Sequence, residues 1–132
     1  MARMSRNPAL FAGFDNGEPG DILVGHVVAL SKSDDNTVVL AKADDSDRMP
    51  AIGFAKRVTA SKVIVQMNAV FKWPDAVNPG IATGQEYWVG TTAGGITDDP
   101  TTISSGLQQI IGVGKKSPRQ IIVRMDPLGI SI

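Results

Sequence analysis

The sequence predicts an all-β protein, a small β-barrel or β-sandwich with two related β-hairpin units and an extended N-terminal arm. Three observations predict it. Apolar residues alternate with a period of 2 wherever a period can be read, β-branched residues dominate those runs, and Gly, Asn, Asp or Pro closes each of them. No segment combines the length and the 3.6-residue period of a helix. The 132 residues suit one domain, because a second core would have to be built from fewer than about 70 residues.

Taken in order, residues 1–19 show neither period and form the arm, which carries Arg3, Arg6 and the apolar cluster Leu10, Phe11 and Phe14. Residues 20–132 are the β domain. Its strands are expected at residues 21–23, 26–30, 37–42, 51–56, 62–73, 86–89, 109–115 and 120–125. The clearest is 62–73, where Val63, Val65, Met67, Ala69, Phe71 and Trp73 form one apolar face and Lys62, Ile64, Gln66, Asn68, Val70 and Lys72 a mixed one. Asp99 followed by Pro100 suits the cap and first position of a single helical turn ahead of Gly106.

The chain also repeats itself. Ile52-Gly53-Phe54-Ala55-Lys56-Arg57 followed by Val63-Ile64-Val65-Gln66-Met67-Asn68 matches Ile111-Gly112-Val113-Gly114-Lys115-Lys116 followed by Ile121-Ile122-Val123-Arg124-Met125-Asp126. Both copies read as strand, basic turn, strand. Two units are too few for a solenoid, so they are expected to close on each other. Ile64 and Ile122 hold equivalent places and point away from the apolar faces of their strands. Together with Trp73 they are the candidates for an oligomer interface, against the alternative of a sandwich buried on both sides within one chain.

Composition excludes several functions. Thirteen basic against thirteen acidic residues give a net charge of +0, which argues against direct nucleic-acid binding. There is no cysteine, hence no disulfide or thiolate chemistry, and His26 is the single histidine. No run approaches the roughly 20 apolar residues of a membrane span, and no signal peptide is visible, so no membrane partner is expected. Gly112 to Ser117 fails the phosphate-loop spacing, with Lys116 where a hydroxyl is needed and Gln109 where the first glycine is needed. The run Asp44, Asp45 and Asp47, with Asp34 and Asp35 nearby, lacks the glycine and glutamate of a calcium loop. No Gly-x-Ser-x-Gly elbow surrounds a serine. Catalytic, cofactor and metal residues are therefore expected to be absent. Trp73, Tyr87 and Trp88 fit a sugar-stacking platform or, with Trp73 in phase with an apolar face, core packing. Charge is partitioned: residues 15–47 hold eight acids, and 48–74 hold five bases and no acid. Such a protein has either two electrically different ends or unlike charges scattered by folding.

The glycine-punctuated strand pattern resembles one family, the capsid decoration or cement proteins of tailed bacteriophages. It runs through Pro19-Gly20-Asp21-Ile22-Leu23-Val24-Gly25-His26-Val27-Val28-Ala29-Leu30, Ala51-Ile52-Gly53-Phe54-Ala55 and Gly84-Gln85-Glu86-Tyr87-Trp88-Val89. Gly94-Gly95-Ile96-Thr97, Ile111-Gly112-Val113-Gly114 and Ile121-Ile122-Val123-Arg124 complete it. The resemblance implies a non-enzymatic virion structural protein, assembled in the host cytoplasm. It would bind the outer surface of the expanded capsid as a homotrimer and clamp subunits of the major capsid protein. The arm residues Arg3, Arg6, Leu10, Phe11 and Phe14 have no counterpart in that pattern and are expected, from their content, to contact the capsid or a neighbouring subunit. A phage tail or fibre module and a carbohydrate-binding surface module are the alternatives.

Overall fold

A computed structural model describes residues 8–116, 119–126 and 129–131 of the protein. Arg3 and Arg6 lie outside them. The strands are β1 Phe11–Asn16, β2 Val27–Leu30, β3 Thr37–Leu40, β4 Ala51–Val58, β5 Lys62–Gln66, β6 Val70–Lys72, β7 Glu86–Val89, β8 Ile96–Thr97, β9 Leu107–Gln108, β10 Ile110–Lys116, β11 Gln120–Val123 and β12 Ile130–Ser131. The class is all-β. Strands β1-β3-β2-β4-β5 close into a barrel, antiparallel throughout except for the parallel pair β1 and β3. A second sheet runs β6-β11-β10-β7-β8, and β12 pairs with β9.

Alternation explains how one chain fills two cores. Val28 of β2 and Ala55 of β4 point into the barrel with Ile22, Val38, Leu40, Val63 and Val65. Val27 and Ala29 of β2 and Phe54 of β4 point the other way, against Phe71, Tyr87, Val89, Ile111, Ile121 and Val123 of the second sheet. These two strands are thus walls shared by both cores, which is why their central residues are apolar on either side. At the centre of the interlayer core Phe54 and Phe71 stack with centroids 5.0 Å apart. Trp73 meets both rings edge-on at 5.4 and 5.1 Å.

The repeat is realised as two antiparallel hairpins, β4-β5 in the barrel and β10-β11 in the second sheet. In each the register slips at the equivalent lysine, Lys56 or Lys115, which marks a bulge. The pairing itself differs by two residues, since Ala55 faces Val65 whereas Gly114 faces Ile121. Gly53 and Gly112, equivalent in the two copies, are both required by a close approach. A Cβ on Gly53 would run into the Gln66 carbonyl, and one on Gly112 would lie 2.5 Å from the Ile122 carbonyl oxygen.

Three expectations need correction. Residues 11–16 of the expected arm form β1, which closes the barrel by pairing with β3 and β5. Phe14, partly buried, packs on the barrel core and so belongs to the fold instead of a separate arm. The strand was hidden because Ala12 and Gly13 blur its alternation. The expected strand 62–73 is two strands in two sheets. Ala69, at φ 62°, turns the chain from barrel to second sheet, and Gln66 Nε2 donates to the carbonyls of Asn68 and Val70 to satisfy the crossing. Period 2 survived the break because both strands bury residues of the same parity. Residues 21–23 form a turn instead of a strand, with Asp21 and Ile22 amides donating to the Glu18 carbonyl and Ile22 entering the barrel core. The helical turn, by contrast, is present as expected: the 3-10 turn Pro100–Thr102, with the Asp99 side chain accepting from the Thr101 amide.

Replacing Gly53 or Gly112 by Ala is expected to lower the unfolding free energy by about 2–3 kcal/mol each, through overpacking against backbone. Gly80→Ala, at φ 77° in open space, is expected to cost only about 1 kcal/mol. Urea denaturation of the three variants checks this, and equal costs would show that close approach is not what demands the two strand glycines.

Candidate interaction surface

The residues singled out for chemistry are occupied with structure. Gly112 and Gly114 lie inside β10, the latter against the Ala82 backbone, so they make a strand and not a phosphate loop. Asp45 caps the 3-10 turn Ser46–Arg48 by accepting from the Asp47 amide at 3.0 Å, and its other oxygen lies 3.5 Å from Arg48 Nε. Asp44 pairs with Lys42 at 3.0 Å. Among the described residues, no group of three or more His, Cys, Asp or Glu is placed to hold a metal ion.

His26 is half-buried between two loops. Its Nδ1 accepts from the Leu23 amide at 3.0 Å, which requires that nitrogen to be unprotonated. Burial pushes its pKa below the ordinary histidine range, against an opposing hydrogen bond with the Asp21 backbone. The group is a structural brace for the Leu23 turn.

Trp73 is 4% exposed and sits in the interlayer core, its Nε1 donating to the Gly25 carbonyl at 3.2 Å, which removes it from the oligomer-interface candidates. The Tyr87 ring is likewise buried, its hydroxyl accepting from the Ala82 amide at 2.8 Å. Only Trp88 is partly open. The three rings therefore form no exposed platform for a sugar, because two of them are spent on the core.

Folding scatters much of the charge partition into ion pairs. Arg48 grips Glu18 with both terminal nitrogens, at 2.6 and 3.0 Å, and Glu18 also accepts from the Leu40 amide at 2.7 Å. Burial works against the Glu18 carboxylate, but these bonds outweigh it and hold its pKa below the usual range. Lys62 pairs with Asp15 at 2.5 Å across β5 and β1. After these pairs are made, Lys56 and Arg57 remain on the barrel wall, and Asp34 and Asp35 remain on the exposed segment after β2.

Among the described residues, apart from the separate exposed side chains of Leu23, Leu30 and Val77, two apolar surfaces stay uncovered. On the second sheet Val70, Ile122 and Val113 are cross-strand neighbours on β6, β11 and β10, with Glu86 of β7 next in the row. Ile122 is 38% and Val70 37% exposed, and Val113 is half-buried. Lys72 and Lys115 flank the row on one side and Arg124 on the other, all exposed. On the barrel, Phe11 is 51% exposed and lines a shallow groove with half-buried Ile64 and exposed Lys56 and Arg57. Leu10, also exposed, is pinned beside the junction of the two sheets, its amide donating to Asn68 Oδ1 and its carbonyl accepting from Met67.

Ile64 and Ile122 thus both face outward, but on different sheets, and each has acquired different neighbours. Val70, Val113, Lys56 and Arg57 were not among the candidate site residues. Period 2 placed Val70 on the same face of its run as Ile64, and that shared parity was the signal for it. Comparison with protein-family models, curated proteins and solved structures returns no match to this chain.

Protonating His26 forfeits the Leu23 bond. Because its folded pKa lies below the unfolded value of about 6.5, the stability it contributes is full above that pH and is lost as pH falls through the folded value. His26→Gln, which offers an acceptor that does not titrate, is expected to flatten the loss of stability between about pH 7 and 5. Thermal melts of both proteins across that range provide the check, and parallel curves would assign the acid sensitivity elsewhere.

Proposed function

We propose that the protein is a non-enzymatic structural protein of a phage virion. In this reading it binds the outer surface of the expanded capsid as a homotrimer and braces contacts between subunits of the major capsid protein. The observation that carries the reading is the exposed row Val70, Ile122 and Val113, crossing three strands of a sheet whose other face is fully packed. Apolar residues aligned across strands gain only modest cross-strand contacts in a monomer and are stabilised further when another surface covers them. The strand and glycine pattern that resembles capsid decoration proteins supports the same reading. A trimer touching a repeating lattice at several points holds firmly through individually weak contacts, because each later contact forms at high effective concentration.

A tail or fibre module would use the same row on a different partner. The two are separated by mixing the purified protein with expanded capsids, unexpanded capsids and isolated tails of the cognate phage and measuring co-sedimentation. Retention on expanded capsids is expected, and retention on tails alone would overturn the proposal. Ile122→Asp is expected to leave the fold intact and to lower retention at least about tenfold, roughly 1.4 kcal/mol. Unchanged retention would exclude the row as the contact.

A further inference from the structure

We propose that the barrel groove lined by Phe11, Ile64, Lys56 and Arg57 receives the segment of a second copy that carries Asp34 and Asp35, so that the subunits join head to tail. The inference rests on the reading of the chain as a self-associating subunit and adds which surfaces meet.

The groove spans three adjacent barrel strands. Phe11 comes from β1, Ile64 from β5, and Lys56 and Arg57 from β4. Gly13 lies directly across from Ile64, so no side chain on β1 covers it there. The rim is cationic. Among the described residues the Arg57 guanidinium makes no hydrogen bond or ion pair, and the ammonium of Lys56 has only the Phe71 ring, 5.6 Å from its centroid. Lys62, at the start of β5, is neutralised by Asp15.

The complementary surface is on the same chain. Between β2 and β3, Asp34 and Asp35 are exposed, and neither carboxylate has a hydrogen-bond or ion-pair partner among the described residues. Ser31 Oγ accepts from the Ser33 and Asp34 amides and shapes the segment. Its one lysine, Lys32, is turned back to the Ser46 carbonyl, which leaves the two acids as the projecting charge. Leu30, 45% exposed at the base of the segment, supplies an apolar anchor.

Within one chain the two surfaces belong to different strands, although the acid segment adjoins the far end of β1, where the Asp15 amide donates to the Asn36 carbonyl. The acids join β2 to β3, whereas the groove occupies β4, β5 and β1, the other three strands of the closed barrel. A second copy can bring them together, two carboxylates against two cations and Leu30 against Phe11 and Ile64. The two sides of such an interface differ, so it is heterologous. Repeated around an axis it closes a ring, which a trimer requires and a self-complementary patch does not provide. Charge complementarity of this kind fixes register and rejects wrong partners.

The test uses the free protein, without capsids, so its outcome is independent of capsid attachment. Sedimentation equilibrium is run on the wild type, on Lys56→Glu/Arg57→Glu, on Asp34→Lys/Asp35→Lys, and on the quadruple variant that combines both charge reversals in one chain. The expected result is a wild-type assembly, monomers for each double variant, and restored assembly of the quadruple variant, in which every junction of the ring again pairs opposite charges. Far-UV circular dichroism checks that the exposed substitutions leave the fold intact. Should a double variant fail to fold, Arg57→Gln is read in its place, with an expected rise of at least about tenfold in the dissociation constant. A monomeric wild type, a double variant that assembles as well as the wild type, or a quadruple variant that stays monomeric would each overturn the proposal. A monomeric chain that still co-sediments with expanded capsids would overturn it and leave the capsid reading standing.

Discussion

The central residues of β2 and the first half of β4 are buried on both faces, and the rest of the structure depends on that. A barrel of five short strands encloses little volume, and its interior here is filled by seven buried residues, none larger than leucine or isoleucine. The large side chains, Phe54, Phe71, Trp73 and Tyr87, lie in the second core, between the barrel wall and the second sheet. Burying an aromatic ring is worth a few kcal/mol, so the interlayer core carries much of the hydrophobic stabilisation of a chain this size. Neither sheet buries those rings alone. The barrel and the second sheet are therefore one cooperative unit, although the sequence repeat presents them as two.

Polar groups inside this arrangement hold the layers in register. Gln109 is fully buried, yet its amide is satisfied: Oε1 accepts from the Ala51 amide at 2.7 Å and Nε2 donates to the Ala51 carbonyl at 2.9 Å. It thus extends the edge of β4 as a backbone would and ties it to the entry of β10. Trp73 performs a similar service from the other side, its ring lying where any side chain on Gly25 would stand. Gly25 adopts φ 97° there, a conformation that glycine reaches without strain. Among the described residues no buried side-chain nitrogen or oxygen lacks a partner, as a core of uniquely defined geometry requires.

With both cores closed, what remains for interaction is on the outside and is chemically divided. The second sheet presents a β-branched row bordered by lysines and an arginine, and the barrel presents an aromatic groove with two cations. The exposed acids Asp34 and Asp35 lie between β2 and β3. This division descends from the charge partition of the sequence, after Glu18, Asp15, Asp44 and Asp45 have consumed part of it in ion pairs. A surface of this kind suits repeated assembly better than the capture of a small ligand, because its apolar elements lie along flat strands and shallow grooves.

Local chemistry in the sequence was sufficient for the β class, for most strand positions and for the capped turn at Asp99. Alternation, β-branching and capping act over a few residues and leave their mark there. The repeat was legible too, and with it the equivalence of Gly53 and Gly112. What the sequence could not reveal was which sheet each strand joins, because period 2 records only that one face is buried and not what it is buried against. Hence residues 62–73 read as one strand across two sheets. Hence also Trp73 fitted an interface and a core equally well, and β1, shortened in pattern by Ala12 and Gly13, passed for an arm. Ile64 and Ile122 shared one sequence environment and diverged only in three dimensions, where a two-residue difference in hairpin register and the strands alongside decided their neighbours. Those contacts join residues far apart in the chain, and only the tertiary structure determines them.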